Sequence, residues 1–516
     1  MEENKKNSSR NFVIGTVIFI VYAVLTFIAA INHELWFDEA QAWVIARDND
    51  ITGIFNVLKY EGHPSLWFII LHIFSLLGFS CKVLPLISWF FCTVAAALIV
   101  WKAPFGYVMK AAILFSGGMV YQMSIISRPY CLIPLLMCLI AMFYSKRDKY
   151  PICFGIFVAL LANTHLCVSG LVGIIGIYMI IDLIKKWKQS SALLNIKRII
   201  GLGIAGIGVL ALVVPLITAM TSNSFVAETE YSVKSAVVTF FESFFEISEC
   251  ALYDGSSILL LSIISIFIVA AFVILLILLR HYPQALTAEI VFAIFFIIIS
   301  NIIWYLLPAR AFSFIYTFVF VFWAALEAAE PKQCNYTELP EGLSEFGKKL
   351  LVGLKKVDMD FKKVYCIVLT GVLLITAPYG CYLLFSDYTK DYCPSEMVAD
   401  YISENLPPDS VIISLTDSEA VISAYLPDQK LYSLEYAEFY TYMSHVKQDE
   451  EPDKEKIYND LKGYKHLYTV CSNSDADFQT TSTNIIYSVS QKIPKNTVLS
   501  GYVEISVFDL EKYVSQ

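Results

Sequence analysis

Five short polar stretches interrupt an otherwise apolar chain, and each carries side chains able to move a proton or hold an anion. The first is Trp36-Phe37-Asp38-Glu39-Ala40, two adjacent carboxylates framed by aromatics. Such a pair can supply a general base, although acids also favour the first turn of a helix simply as a cap. The second is Glu61-Gly62-His63-Pro64-Ser65-Leu66-Trp67-Phe68. Pro64 suits the first turn of a helix, which sets Glu61 and His63 at its N-terminal end. There His63 could hold a phosphate or polarise a sugar hydroxyl, and Glu61 could assist or bind a metal; a capped Gly-Pro turn would look the same. The third is Ser127-Arg128-Pro129-Tyr130. Its guanidinium suits bidentate capture of a phosphate, or else snorkels as an interface anchor beside Tyr130. Asn163-Thr164-His165 and Pro308-Ala309-Arg310 complete the set, His165 readable also as helix-end packing and Arg310 also as an interface anchor.

The elements that must position these residues are membrane spans. The chain has 516 residues, 57% of them hydrophobic and only 16% charged, with a mean hydropathy of +0.62. A soluble domain carries about a quarter charged residues, so an ordinary cytosolic enzyme is excluded. Apolar runs of about 20 residues can cross a bilayer. Candidates fall at 11–31, 83–101, 111–127, 130–145, 151–165, 167–184, 197–219, 256–279, 288–307, 309–328 and 363–385. A further run, 64–79, is either a twelfth span or a helix lying in the interface.

Lysine and arginine mark the cytoplasmic side of a membrane protein. With 64–79 left in the interface, 21 of the 27 bases in residues 1–386 fall on the same side as the N-terminus. Making it cross would destroy that bias. The expectation is therefore eleven spans, a cytoplasmic N-terminus and an extracytoplasmic C-terminal region. No small-residue cleavage site follows the first span, which reads as an uncleaved anchor.

The net charge of −9 divides unevenly: residues 387–516 carry −12 and residues 1–386 carry +3. This separates a membrane domain, 1–386, from an acidic soluble domain, 387–516. Neither has the basic stripe that nucleic acid requires. In the acidic part, Ser395–Asn405 reads as a helix, while 410–414, 466–471, 483–489 and 501–510 read as strands, giving a small α/β domain. Residues 32–82 form a first outside loop and 220–255 a second. Most cysteines lie in spans; Cys393 and Cys471 lie in the acidic domain and could pair or remain buried thiols.

The same orientation places Asp38, Glu39, Glu61, His63, Arg128, Tyr130, His165 and Arg310 on one membrane face, whereas unrelated helix-end residues would scatter over both. A base beside several cationic or imidazole groups suits transfer of a group from a lipid phosphate: the base takes the acceptor's proton, and the cations stabilise the departing phosphate.

Phe37-Asp38-Glu39-Ala40, His63-Pro64-Ser65-Leu66 opening an apolar helix, Arg128-Pro129-Tyr130 and Thr164-His165 together resemble the motifs of GT-C membrane glycosyltransferases. Bacterial proteins similar to protein O-mannosyltransferases and lipid A aminoarabinose transferases share this likeness, over about residues 10–320 and most clearly over 33–185. The resemblance implies an all-α polytopic GT-C-like domain and inverting transfer from a polyprenyl-phosphate sugar to an acceptor such as a protein, glycolipid or envelope polymer. It also implies a first-loop acid as base, which falls on Asp38 or Glu39, with Asp38 favoured. Ser65 departs from the family, which commonly has a second proline there. Some relatives need a divalent metal; Glu61, His63 and His165 could supply ligands but lack ligand spacing, so no metal site is assigned.

The competing reading is a transporter or a flippase for lipid-linked sugars without transferase activity. It calls for paired ionisable residues at span centres, whereas the acids here, such as Asp182 and Glu289, lie near span ends. A tail-bearing membrane anchor is a third option, for which eleven spans are excessive.

Overall fold

The computed structural model describes residues 2–221, 258–302, 308–331, 360–389, 395–414, 418–442, 453–472, 482–490 and 502–515. The helices of the apolar part are α1 (Glu2–Asn32), α2 (Phe37–Asp48), α3 (Ile51–Glu61), α4 (Leu66–Leu76), α5 (Leu84–Lys102), α6 (Tyr107–Leu114), α7 (Leu132–Tyr144), α8 (Pro151–Ala162), α9 (Ser169–Lys186), α10 (Ala192–Thr221), α11 (Ile258–Leu279), α12 (Pro283–Ile302), α13 (Pro308–Ala328) and α14 (Phe361–Thr389). Among the described residues, seven helices are long and apolar enough to cross a membrane, based on α1, α5, α9, α10, α11, α13 and α14. Four shorter apolar helices accompany them: Leu66–Leu76, Pro129–Tyr144, Pro151–Ala162 and Pro283–Ile299. The protein is a multi-pass membrane protein. Large aliphatic side chains remain exposed along the long helices, among them Val17, Ile207, Leu210 and Ile266, as lipid-facing surface requires.

The expected span 111–127 is broken, and the break serves the site. Ser116 Oγ donates to the Ile113 carbonyl at 2.7 Å, diverting a helix acceptor, and Gly117 N–H donates to Thr376 Oγ1 of α14 at 3.1 Å. A Cβ on Gly380 would collide with the Gly117 backbone, so α14 presses directly against the chain here. A π turn at Gly118–Gln122 follows, and the chain runs on without regular helix to Arg128. Backbone freed in this way must be satisfied by protein rather than lipid. The second outside loop, 220–255, falls almost wholly outside the described residues, as does Cys393.

The C-terminal part holds α15 (Ser395–Asn405), α16 (Ser418–Tyr425), α17 (Lys454–Leu461) and α18 (Leu510–Ser515), with β1 (Val411–Ser414), β2 (Lys430–Ser433), β3 (Glu438–Phe439), β4 (Leu467–Ser472), β5 (Ser482–Ser490) and β6 (Tyr502–Phe508). The sheet order is β3-β2-β1-β4-β6-β5. The centre, β2-β1-β4, is parallel, while β3, β6 and β5 join antiparallel. Alternation along β1 sends Val411 and Ile413 into one apolar cluster and Ile412 into another, so this strand is covered on both faces.

This part docks on the first loop. Leu35 N–H donates to Tyr425 Oη at 3.1 Å, Arg47 Nη1 to the Ser423 carbonyl at 2.6 Å, and Thr441 Oγ1 to Asp48 at 2.6 Å. Lys82 pairs with Glu396.

Candidate active site

The two carboxylates of the Asp38-Glu39 pair occupy different environments. They open α2, where successive residues point about 100° apart. Glu39 is fully buried: its side chain is 0% exposed, against 32% for Asp38. Glu39 Oε2 accepts from the Trp36 N–H at 3.1 Å, which fixes the first turn of α2, and Glu39 Oε1 accepts from the Ser127 N–H. Asp38 instead meets Arg128, whose guanidinium also lies 5.9 Å from the centre of the Trp36 ring. The unwound stretch before Pro129 is what brings Ser127 and Arg128 to α2. The Trp36 indole N–H is buried without an acceptor among the described residues.

His33, the first residue after α1, lies between two carboxylates. Its Nδ1 is 2.9 Å from Asp387 Oδ2 near the end of α14, and its Nε2 is 3.1 Å from Glu39 Oε2. Burial alone would strip the ring of its proton. Glu39 and Asp387 outweigh burial and raise the His33 pKa to about 10, so the ring is an imidazolium donating to both acids. Neither His33 nor Asp387 stood out in the sequence. The available signal was weak: a histidine at a span end, just before an acidic pair.

A second cluster forms around Tyr130. Its hydroxyl accepts from Arg310 Nε at 2.9 Å and lies 3.0 Å from His165 Nε2. His165 Nδ1 accepts the Cys167 N–H at 3.1 Å, which fixes the neutral tautomer with its proton on Nε2, pointing at Tyr130. With both lone pairs engaged, the Tyr130 hydroxyl retains its own proton to donate. His63 joins at its edge: the His63 and His165 ring centres are 6.3 Å apart at 76°. Gly62 makes this possible. At φ 67 it closes α3 in the left-handed region, donating to the Leu58 carbonyl, so that His63 Nδ1 can meet the Glu61 carbonyl at 3.0 Å.

The structure thus brings together Asp38 with Arg128, and Tyr130 with His165, Arg310 and His63. Glu39 is turned into the His33 network, and Glu61 is buried against Gln41, whose Nε2 donates at 3.3 Å. Among the described residues, no three His, Cys, Asp or Glu side chains converge as a metal site.

A bundle of long and short apolar helices, a polar cluster at the turns on one end, and a C-terminal α/β sheet docked on the first loop make up a membrane fold known from solved structures. Two solved structures share it: ArnT from Cupriavidus metallidurans bound to undecaprenyl phosphate, and the same protein in the apo state. Each is 12% identical, over 96% of this chain and 98% of the other, with TM-scores of 0.52 and 0.53 respectively. At that identity the likeness is one of fold, and its span carries it past residue 320 into the C-terminal sheet. No protein-family model and no curated protein matches the sequence.

Proposed function

We propose that the protein is an integral-membrane, inverting glycosyltransferase that moves one sugar from a polyprenyl-phosphate donor to an acceptor on the extracytoplasmic face. The observation that carries this reading is the division of labour between the adjacent acids. Glu39 is locked in a buried network, while Asp38 remains accessible, held by Arg128 on the same bundle end as Tyr130, His165 and Arg310. A fold shared with a structure that holds undecaprenyl phosphate supports a polyprenyl-phosphate donor.

In this mechanism Asp38 takes the proton of an acceptor hydroxyl as its oxygen attacks the anomeric carbon. The bond from that carbon to the phosphate oxygen breaks, and polyprenyl phosphate leaves with its added negative charge. The Tyr130 O–H and the Arg310 and Arg128 guanidinium groups are suited to hold that charge. The bias of Lys and Arg toward the N-terminal side supports an extracytoplasmic site and C-terminal domain. Against a transporter, Asp182 is paired at its helix end with Arg147, and Glu289, in the second turn of α12, accepts from Thr317.

The test is release of polyprenyl phosphate from polyprenyl-phosphate hexoses by purified protein supplied with cell-envelope acceptors. Losing the base costs about 10²–10⁴ in rate, so Asp38→Asn should lose that much turnover while still folding. Binding of the donor without release by the wild type would point to a flippase. Near-wild-type transfer by Asp38→Asn would remove the assignment of the base.

A further inference from the structure

A cavity of about 540 Å³ lies within the bundle and reaches the end opposite Asp38. Its lining on α9 alone runs from Leu171 to Lys186, about 22 Å of helix axis at 1.5 Å per residue. Lining that runs so far along one helix is long enough to take an extended chain. Its inner wall is apolar, from Leu161, Leu171, Ile175, Ala288, Val321 and Ala325. Its mouth carries charges of both signs, from Arg147, Lys186, Asp182 and Glu330.

Two donors at the mouth lack partners among the described residues. Arg147 donates Nε to Asp182 and Nη1 to the Tyr144 carbonyl, each at 2.7 Å, which leaves Nη2. Tyr282, 3% exposed and part of the lining, has a buried hydroxyl with no acceptor. A buried hydroxyl ordinarily finds an acceptor, and its absence here is unusual in a folded protein. An apolar bore, two donors where it opens and a mouth of mixed sign together describe the requirements of an amphiphile.

We propose that this cavity is a binding site for a membrane phospholipid with a zwitterionic head. One acyl chain lies along α9, the ester carbonyl accepts from Tyr282, and the phosphate meets Arg147 while the head's cation meets Asp182 and Glu330. The polyprenyl-phosphate donor is a poor occupant, since its phosphate belongs at the Asp38 end and its chain has no second head for this mouth. The cavity itself is independent of the transferase reading, while the exclusion of that donor rests on it.

The full chain is reconstituted in vesicles of phosphatidylethanolamine and phosphatidylglycerol, with a trace of phosphatidylethanolamine carrying a diazirine at the end of one chain. After irradiation, labels are assigned to residues by fragmentation mass spectrometry. Labelling is expected at the inward Ile175, Val321 and Ala325, besides the lipid-facing Ile177, Ile180 and Ile184 of the same helix. Ala325→Trp fills the bore and should cut the inward labels about tenfold, equivalent to about 1.4 kcal/mol, while leaving the outward labels unchanged. Ala325→Leu, a smaller intrusion, gives a partial loss if the tryptophan variant fails to fold. Labels confined to Ile177, Ile180 and Ile184 would overturn the site. Equal inward labelling by a phosphatidylglycerol probe would overturn the zwitterionic head. Inward labelling by a polyprenyl-phosphate probe alone would overturn the phospholipid.

Discussion

The two ends of the helix bundle carry charge in opposite styles. At the Asp38 end, polar pairs join residues far apart in sequence: His33 with Asp387, Asp38 with Arg128, and Tyr130 with Arg310. At the other end, Arg147 pairs with Asp182, and Asp148 with Lys186 and Arg198, all between neighbouring helices and turns. Glu39 and His33 are fully shielded, whereas the Asp148 side chain is 37% exposed. Breaking a buried pair leaves an uncompensated charge and costs about 3–5 kcal/mol; an exposed pair is worth about 0–1 kcal/mol. The first set can therefore enforce a geometry. The second adds little to stability and, in the proposed orientation, marks the cytoplasmic side.

The sharpest test of the contrast lies within the Asp38 end itself. Asp38→Asn should lose about 10²–10⁴ in transfer rate and lower the melting temperature less than Glu39→Gln does, because the Asp38 side chain is 32% exposed and that of Glu39 is fully shielded. Glu39→Gln should do the reverse in kind: it weakens the His33 ion pair and a buried acceptor, so thermal stability falls first and activity falls only as the fold loosens. Thermal melts beside turnover assays separate the two. Equal effects of both variants on both readouts would show that the acids act as one unit.

His33 adds a pH signature. Its folded pKa of about 10 stands above the ordinary 6.5, so its interaction with Glu39 and Asp387 stabilises the fold in full below pH 6.5. That contribution fades as pH rises toward 10 and is absent above it. Melting temperature measured from pH 6.5 to 10 should fall for the wild type, and His33→Gln should flatten that part of the curve. An unchanged slope in the variant would mean that another group is titrating.

The candidate site was legible in the sequence to the extent that charge is conspicuous in an apolar chain. Asp38, Arg128, His165 and Arg310 stood out because each sits where a span should end, and the Lys/Arg bias placed them on one face. The pairing of His33 with Asp387 was not legible. It depends on where the final helix ends, 354 residues away. The separate fates of Asp38 and Glu39 were hidden too, because they turn on a backbone N–H of Ser127 that only an unwound span can offer. That unwinding follows from Ser116, which diverts a helix acceptor, together with the close approach of Gly380 to Gly117, and the second is a tertiary event. In the sheet, β1, β4, β5 and β6 announced themselves by apolar runs, while β2, Lys430-Leu431-Tyr432-Ser433, and the two-residue β3 carry no such run.

Smaller effects probe each end separately. Tyr130→Phe removes a hydroxyl that holds Arg310 and His165 and keeps a proton to donate. Hydrogen bonds to charged groups are worth about 1.5–3 kcal/mol, so transfer should slow by about 10–100-fold. Its effect should exceed that of any single pair at the opposite end.

Asp148→Asn is the counterpart there, and the expected result is close to nothing. The carboxylate meets both Lys186 and Arg198, and on that count it resembles a hub. Its exposure decides otherwise, because water and salt already screen a group that is more than a third open. Removing its charge should cost less than about 1 kcal/mol in stability and leave the transfer rate unaltered, checked by melting curves and initial rates on the same preparation. A loss of transfer in Asp148→Asn comparable to that of Tyr130→Phe would show that the far end is coupled to the chemistry, and that the two styles of charge do not divide orientation from catalysis.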